Sequence, residues 1–214
     1  MSGASSMERL VGPAYRIETA RTVLRCFSPS DVDVVARAVA ESLAHLRPWM
    51  TWAAHEPLPH AQRLEWLRTS RGHFDLGSDY TYGIFDPAER ELWGSAGLKL
   101  GASVDERELG YWVHVAHIGK GLATEVALAL TRVGFDVEDL DCIEVRCDPE
   151  NHRSARVARK LGCAAPVLDP LSLPMPDGSK RDTHVYTLSR VEYANSPARE
   201  APIRAFDVLG SPLL

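Results

Sequence analysis

Between Leu109 and Val137 the chain runs from a short apolar, aromatic-rich segment through a glycine turn into an amphipathic helix. This order constrains the fold more than any other feature. Tyr111, Trp112, Val113 and Val115 supply the extended segment and Gly119 and Gly121 the turn. Leu122, Val126, Leu130, Val133 and Val137 then recur on one helical stripe. Strand, turn and helix in this order leave free backbone N–H groups at a helix N-terminus, where they can hold phosphate. Glycine at 119 and 121 clears side chains from an anion's path and permits positive φ, and Lys120 adds a positive charge. Two phosphate cradles do not fit. The nucleotide P-loop continues Gly-Lys into Ser or Thr, whereas Gly121 and Leu122 follow here, and the dinucleotide fingerprint needs three glycines at fixed offsets.

At 214 residues the chain suits one substantial domain. Its apolar runs fall well short of the ~18 residues of a membrane span, and Met1–Arg9 lacks the apolar core of a signal peptide. The cytoplasm is therefore the expected location. A net charge of −5 argues against general nucleic-acid binding and is compatible with a cationic or amine substrate. Cys26, Cys142, Cys147 and Cys163 form no Cys-x-x-Cys pair and have no His at zinc-finger spacing, so neither a metal nor a disulfide is expected. The acidic cluster Asp136, Glu138, Asp139, Asp141 and Glu144 reads as a solvated loop.

Residues 1–15 are patternless and expected to be flexible. Val23–Phe27 reads as a strand, and Ser30 with Asp33 as the N-cap signature of a helix over 31–44. Val32, Val35, Ala36, Val39 and Leu43 would form its buried face. A second helix is expected over 60–75, from Leu64, Leu67 and Phe74. Strands follow at 80–85, 92–100 and 109–115, then the helix after the glycine turn and a strand at 143–147. Asn151 caps a helix over 152–161 that Gly162 ends. Val185–Leu188 is a late strand, and the proline-containing tail beyond 190 is expected to be loosely ordered.

Gly119-Lys120-Gly121-Leu122-Ala123-Thr124-Glu125 resembles the pyrophosphate loop of the GCN5-related N-acetyltransferases (GNAT), Gln/Arg-x-x-Gly-x-Gly/Ala. Gly121 and Ala123 match, and Ile118 stands where Gln or Arg is usual. Asp148–Gly162 resembles the second signature of the superfamily, Asn-x-x-Ser-x-x-Val-x-x-Lys-x-Gly, with Asn151, Ser154, Val157, Lys160 and Gly162 in register. With Ile17–Arg25, the resemblance covers roughly residues 17–189. His45–Trp52 and Leu109–Val113 are similar to the RimJ/RimL-type branch, which includes enzymes acetylating ribosomal-protein N-termini. The resemblance implies one α/β (α+β) domain over 16–190, with a flexible 1–15 and a tail at 191–214. Its mixed, mostly antiparallel sheet would be splayed at the acyl-CoA site, with helices on both faces.

By the same resemblance the co-substrate is acetyl-CoA, attacked directly by an amine in a ternary complex with no acyl-enzyme, so Cys147 and Cys163 are poor nucleophile candidates. Backbone groups of Val113–Val115 would hold the pantetheine arm and polarise the carbonyl. The amides of Gly119, Lys120, Gly121, Leu122, Ala123 and Thr124 would hold the pyrophosphate, with Asn151 and Ser154 completing the cofactor contacts. Arg153 and Arg156 would meet the CoA 3′-phosphate. Many relatives protonate the leaving thiolate with a Tyr where this chain has Ala158; Rim-type members are thought to use the Ser, here Ser154.

For the base, an unbroken strand puts Glu108, Trp112 and His114 on one face, and a bulge of the kind common in this family's strand would flip part of it. Glu108 ranks first, His114 second for its ordinary pKa of ~6.5, and Asp148 third. Trp49 and Trp52 are candidate walls of the acceptor pocket. The leading acceptor is a peptide or protein N-terminal amine. A small amine (polyamine, aminoglycoside or metabolite) and a non-catalytic acyl-CoA-binding module stay open, as does a homodimer.

Overall fold

The computed structural model describes residues 13–214. Most of the segment expected to be flexible, residues 1–12, lies outside the described residues. Ala14 is fully buried and Tyr15 N–H donates to the Phe206 carbonyl, 2.8 Å, so 13–15 already belong to the folded body. The chain forms β1 (Arg16–Glu18), β2 (Val23–Cys26), α1 (Val32–Leu46), α2 (His60–Asp75), β3 (Asp79–Phe85), β4 (Leu92–Leu100) and β5 (Glu106–Val113). It continues with α3 (Leu122–Asp136), β6 (Cys142–Cys147), α4 (His152–Leu161), β7 (Val167–Pro174), β8 (Lys180–Ser189), α5 (Arg190–Tyr193) and β9 (Arg204–Phe206). Among the described residues nine strands lie in one sheet, in the order β7-β8-β6-β5-β4-β3-β2-β1-β9. Every pairing is antiparallel except β5 with β6.

Helices cover both faces. Consecutive strand residues point to opposite sides, and Ile84 and Phe85 accordingly enter two different core clusters. Ile84 joins Leu98, Leu109 and the buried stripe of α3, while Phe85 joins Phe27 and the α1 residues Val32, Val35 and Val39. The α3 stripe read from the sequence is buried throughout.

Five expectations need correction. The acidic cluster is not wholly solvated, because the Glu138 side chain is buried beside Arg107 at 3.7 Å. The capping serine is Ser28, not Ser30: its hydroxyl and the Asp31 carboxylate form a reciprocal box around a single 3-10 turn that leads into α1. In α1, which starts one residue later and ends two residues later than expected, the buried face is completed by Ala38, Ser42 and Leu46, with Ala36 and Leu43 at its margin. A strand at 167–174 was not expected, since it is an exposed edge without clear alternation. The tail is not loose: β9 pairs with β1 at three positions and buries Ala205 completely. Its prolines punctuate short elements and do not prevent docking.

Candidate active site

The glycine turn forms as its residues require. Gly119 and Gly121 have φ of 74° and 80°, the left-handed region that L side chains avoid. Gly121 is the N-cap of α3, and among the described residues no side chain caps this end. A Cβ built at Gly119 would meet nothing within 4 Å, so the space before the first-turn amides is open. Lys120 folds back, its ammonium donating to the Ala116 carbonyl at 2.8 Å. The amides of Leu122, Ala123 and Thr124 begin the helix and face the anion-favouring end of its dipole. These residues fit a pyrophosphate held by backbone.

Upstream, β5 and β6 pair only at Glu106–Cys142, Arg107–Ile143 and Glu108–Glu144. Beyond Glu108 they part: β5 stays with β4 as far as Val113, and β6 stays with β8 as far as Cys147. The β4–β5 register is unbroken from Arg107 to Val113, so no bulge interrupts the alternation. His114 N–H donates to Trp93 O, 2.8 Å. In an antiparallel pair the bonded positions alternate, so residues 108, 110, 112 and 114 spend their backbone groups on β4. Those of Tyr111 and Val113 therefore turn toward the gap. Val115 N–H donates instead to Ser42 Oγ, 3.1 Å.

A cleft of about 860 Å³ opens from this gap. One side is a segment at 47–59 joining α1 to α2, braced by a buried Glu56–Arg63 ion pair at 2.5 Å. It carries Trp49 and Trp52 into the cleft wall, and Trp52 meets Trp112 of β5 with ring centroids 6.2 Å apart. Glu108 also lines the cleft, and among the described residues it forms no hydrogen bond or ion pair. Asp148 lines it too but is tied to Arg181 at 3.3 Å and to the Glu150 N–H at 2.9 Å. His114 has both ring nitrogens engaged: Nδ1 accepts from Ala116 N–H at 3.2 Å, and Nε2 meets Glu41 at 2.9 Å.

On the α3/α4 side, Asn151 Oδ1 accepts the Ser154 N–H at 3.1 Å, the expected cap. Ser154 Oγ lies 2.9 Å from the Tyr111 hydroxyl. Burial pushes the Tyr111 phenol up, against the opposing effect of Ser154, so the phenol stays protonated, and either hydroxyl of the pair could be the donor. Burial also pushes the Cys147 thiol up, against its hydrogen bond with Ser154, which disfavours a thiolate there. Arg153 sits close enough to His45 that its charge adds to burial in lowering the imidazole pKa.

Sequence reasoning missed Tyr111 as the partner of Ser154, and Glu41 and Ser42 as the anchors of His114 and Val115. Alternation did place Tyr111 on the face opposite Glu108. A polar pair inside a helix gives no comparable signal.

Among the described residues no helix is long and apolar enough to cross a membrane, and no three His, Cys, Asp or Glu side chains converge as metal ligands. The chain is 29% identical over 158 residues to the [ribosomal protein uS5]-alanine N-acetyltransferase of Escherichia coli K12, covering 70% of this chain and 78% of that protein. The fold is similar to RimL, a ribosomal L7/L12 alpha-N-protein acetyltransferase solved with coenzyme A. The TM-score is 0.72 at 18% identity, over 80% of this chain and 95% of that one. It is equally similar to the microcin C7 self-immunity acetyltransferase MccE, solved with acetyl-CoA and AMP, at TM-score 0.72 and 14% identity over 80% and 93% of the two chains. The family model described as an acetyltransferase (GNAT) domain matches residues 21–164, which include both glycine-containing motifs and well over half of the chain. The chain therefore belongs to the GNAT acetyltransferases and is an acetyl-CoA-dependent enzyme.

Proposed function

We propose that the acceptor is the N-terminal α-amine of a peptide or protein, acetylated by direct attack on acetyl-CoA. The observation that carries this reading is the division of labour across the splayed sheet. Glu108, a carboxylate with no hydrogen bond or ion pair among the described residues, and Ser154, a hydrogen-bonded hydroxyl, line the same cleft from opposite sides of the sheet. The resemblance to ribosomal-protein N-acetyltransferases points the same way. So does amine chemistry: an α-amine with a pKa of ~7.7–8.0 is about a tenth to a sixth neutral at pH 7, whereas a lysine ε-amine at ~10.4 is less than about a thousandth neutral.

In this mechanism the amide of Val113 binds along the pantetheine arm and polarises the thioester carbonyl, and the amides from Gly119 to Thr124 hold the pyrophosphate. The amine nitrogen forms the new N–C bond and gives its proton to Glu108, directly or through water. As the C–S bond breaks, the thiolate takes the proton of Ser154 Oγ, which is restored from solvent. Either hydroxyl of the Tyr111–Ser154 pair could donate; this step uses the arrangement in which Tyr111 donates and the serine proton points into the gap. We assign the base to Glu108, because His114 has both nitrogens occupied and Asp148 is bonded twice. The net charge of −5 and the absence of a spanning helix among the described residues accord with a cytoplasmic enzyme that meets its acceptor without nucleic acid or membrane.

The test is thiol release from acetyl-CoA with Ser- and Ala-starting peptides, polyamines and aminoglycosides, each positive confirmed by product mass. Transfer to peptide α-amines is the expected result. Transfer confined to small amines would refute the acceptor, and acetyl-CoA binding without transfer to any of them would favour a binding module.

A further inference from the structure

We infer that Arg21 and Glu125 form a clamp that orients the phosphate cradle, making Arg21 a positioning residue for coenzyme A binding; this rests on the cradle assigned above. Arg21 lies in the short connection between β1 and β2, about a hundred residues from the glycine loop in sequence, yet it grips that loop twice. Its NH1 donates to the Lys120 carbonyl at 2.9 Å. Its Nε and NH2 meet Glu125 Oε2 at 2.7 and 2.5 Å. The other oxygen of Glu125 accepts from Thr19 Oγ1 at 2.6 Å and from the Arg21 N–H at 3.2 Å. Thr19 Oγ1 in turn meets Thr22 Oγ1 at 2.8 Å.

An exposed Arg–carboxylate pair alone contributes little. What sets this one apart is the carbonyl it holds. The C=O of Lys120 and the N–H of Gly121 belong to one planar trans peptide and point in opposite directions. That peptide joins Lys120 to the left-handed Gly121, whose backbone resists rotation least. By fixing the carbonyl from outside, Arg21 turns the Gly121 N–H away from itself, toward the side where a pyrophosphate would meet the α3 amides. The guanidinium also compensates Glu125, a carboxylate in the first turn of α3 that would otherwise repel a bound anion. Because the Arg21 side chain is 46% exposed, replacing it leaves the core untouched.

The test is calorimetric titration of the full chain with CoA, 3′-dephospho-CoA and pantetheine, for Arg21→Ala, Arg21→Lys and the double variant Arg21→Ala/Glu125→Gln. Arg21→Ala should weaken CoA and 3′-dephospho-CoA alike, by about tenfold, and leave pantetheine unchanged. Lysine, a single point donor, should restore only part of the loss. Removing the uncompensated charge in the double variant should recover affinity relative to Arg21→Ala. A loss for CoA but not for 3′-dephospho-CoA would overturn the clamp in favour of a direct 3′-phosphate contact, and an equal loss for pantetheine would reduce it to general structural support. Unchanged CoA affinity in Arg21→Ala would also overturn it. Gly121→Val then separates the failures: weakened CoA binding there keeps the cradle and rejects only the clamp, and unaltered binding rejects both.

Discussion

Replacing Ser154 by Ala tests the proposed acid with little collateral change. The helix cap survives, because what Asn151 accepts is the backbone N–H of residue 154. The Tyr111 hydroxyl loses its partner at 2.9 Å. A neutral hydrogen bond of this kind contributes about 1 kcal/mol net, so the melting temperature of a chain this long should fall by ~2–4 °C. The catalytic loss should be larger. General acid–base assistance contributes ~10²–10⁴-fold, and a thiolate needs less help than an alkoxide or amide leaving group. The lower end applies: kcat should fall about 10²-fold, equivalent to ~2.7 kcal/mol of barrier. Steady-state thiol release at saturating acetyl-CoA gives kcat, and calorimetry gives the acetyl-CoA affinity, which should shift by less than about twofold. Tyr111→Phe, which keeps the serine but removes its hydrogen-bond partner, should give an intermediate kcat. An unchanged kcat in Ser154→Ala refutes the assignment, and a weakened affinity with normal kcat would make Ser154 a binding residue instead.

Glu108→Gln should lower kcat by about 10²-fold while leaving acetyl-CoA affinity intact, measured by the same pair of assays; equal loss of affinity would place Glu108 in the cofactor contacts. Gly94→Ala should destabilise the fold by about 3 kcal/mol in urea unfolding, because a Cβ there would lie 2.2 Å from the Trp112 carbonyl oxygen, a backbone atom that cannot swing aside. Burial pushes the Glu138 carboxyl up to about 8, against the pull of Arg107 at 3.7 Å, so the folded state holds this proton more tightly than the unfolded chain does. The stability it contributes is present below its ordinary pKa of 4.5 and is lost as pH rises through about 8. Glu138→Gln should therefore gain on the parent steadily across that window in unfolding titrations, and parallel curves would refute this.

What the sequence disclosed was what local chemistry encodes. The glycine turn, the α3 stripe and the Asn151 cap each require particular residues at fixed spacing, and each stands where it was expected. The splay was expected only through family resemblance. It follows from which neighbour each strand keeps, and nothing within β5 or β6 states that their pairing ends after three residues. β1 and β9 hold three residues each and bury one side chain apiece, too few to show a period. β7 carries two prolines and faces solvent, so its strand character comes from its partner β8. Ser42 went unread for a different reason. A polar residue on the buried side of α1 looks like a break in the apolar stripe, yet it is there to accept the Val115 N–H.

The same pairing scheme explains how one sheet can be both rigid and open. β5 is held along its length by β4, and β6 by β8, so the gap is the boundary between two well-bonded halves of the sheet. Its edges present backbone groups at Tyr111 and Val113 that face away from β4, which suits an arm carrying amides of its own. Because adjacent strand residues point to opposite faces, a single strand sends Glu108 and Tyr111 to opposite sides of the sheet, yet both, with Ser154, line the one cleft that opens at the gap. The splay is what lets side chains from the two faces meet in one space. The wall at 47–59 belongs to a different segment from Ser154, Tyr111 and the glycine loop. The cofactor was thus readable from two spaced motifs, whereas the fold alone does not fix the acceptor.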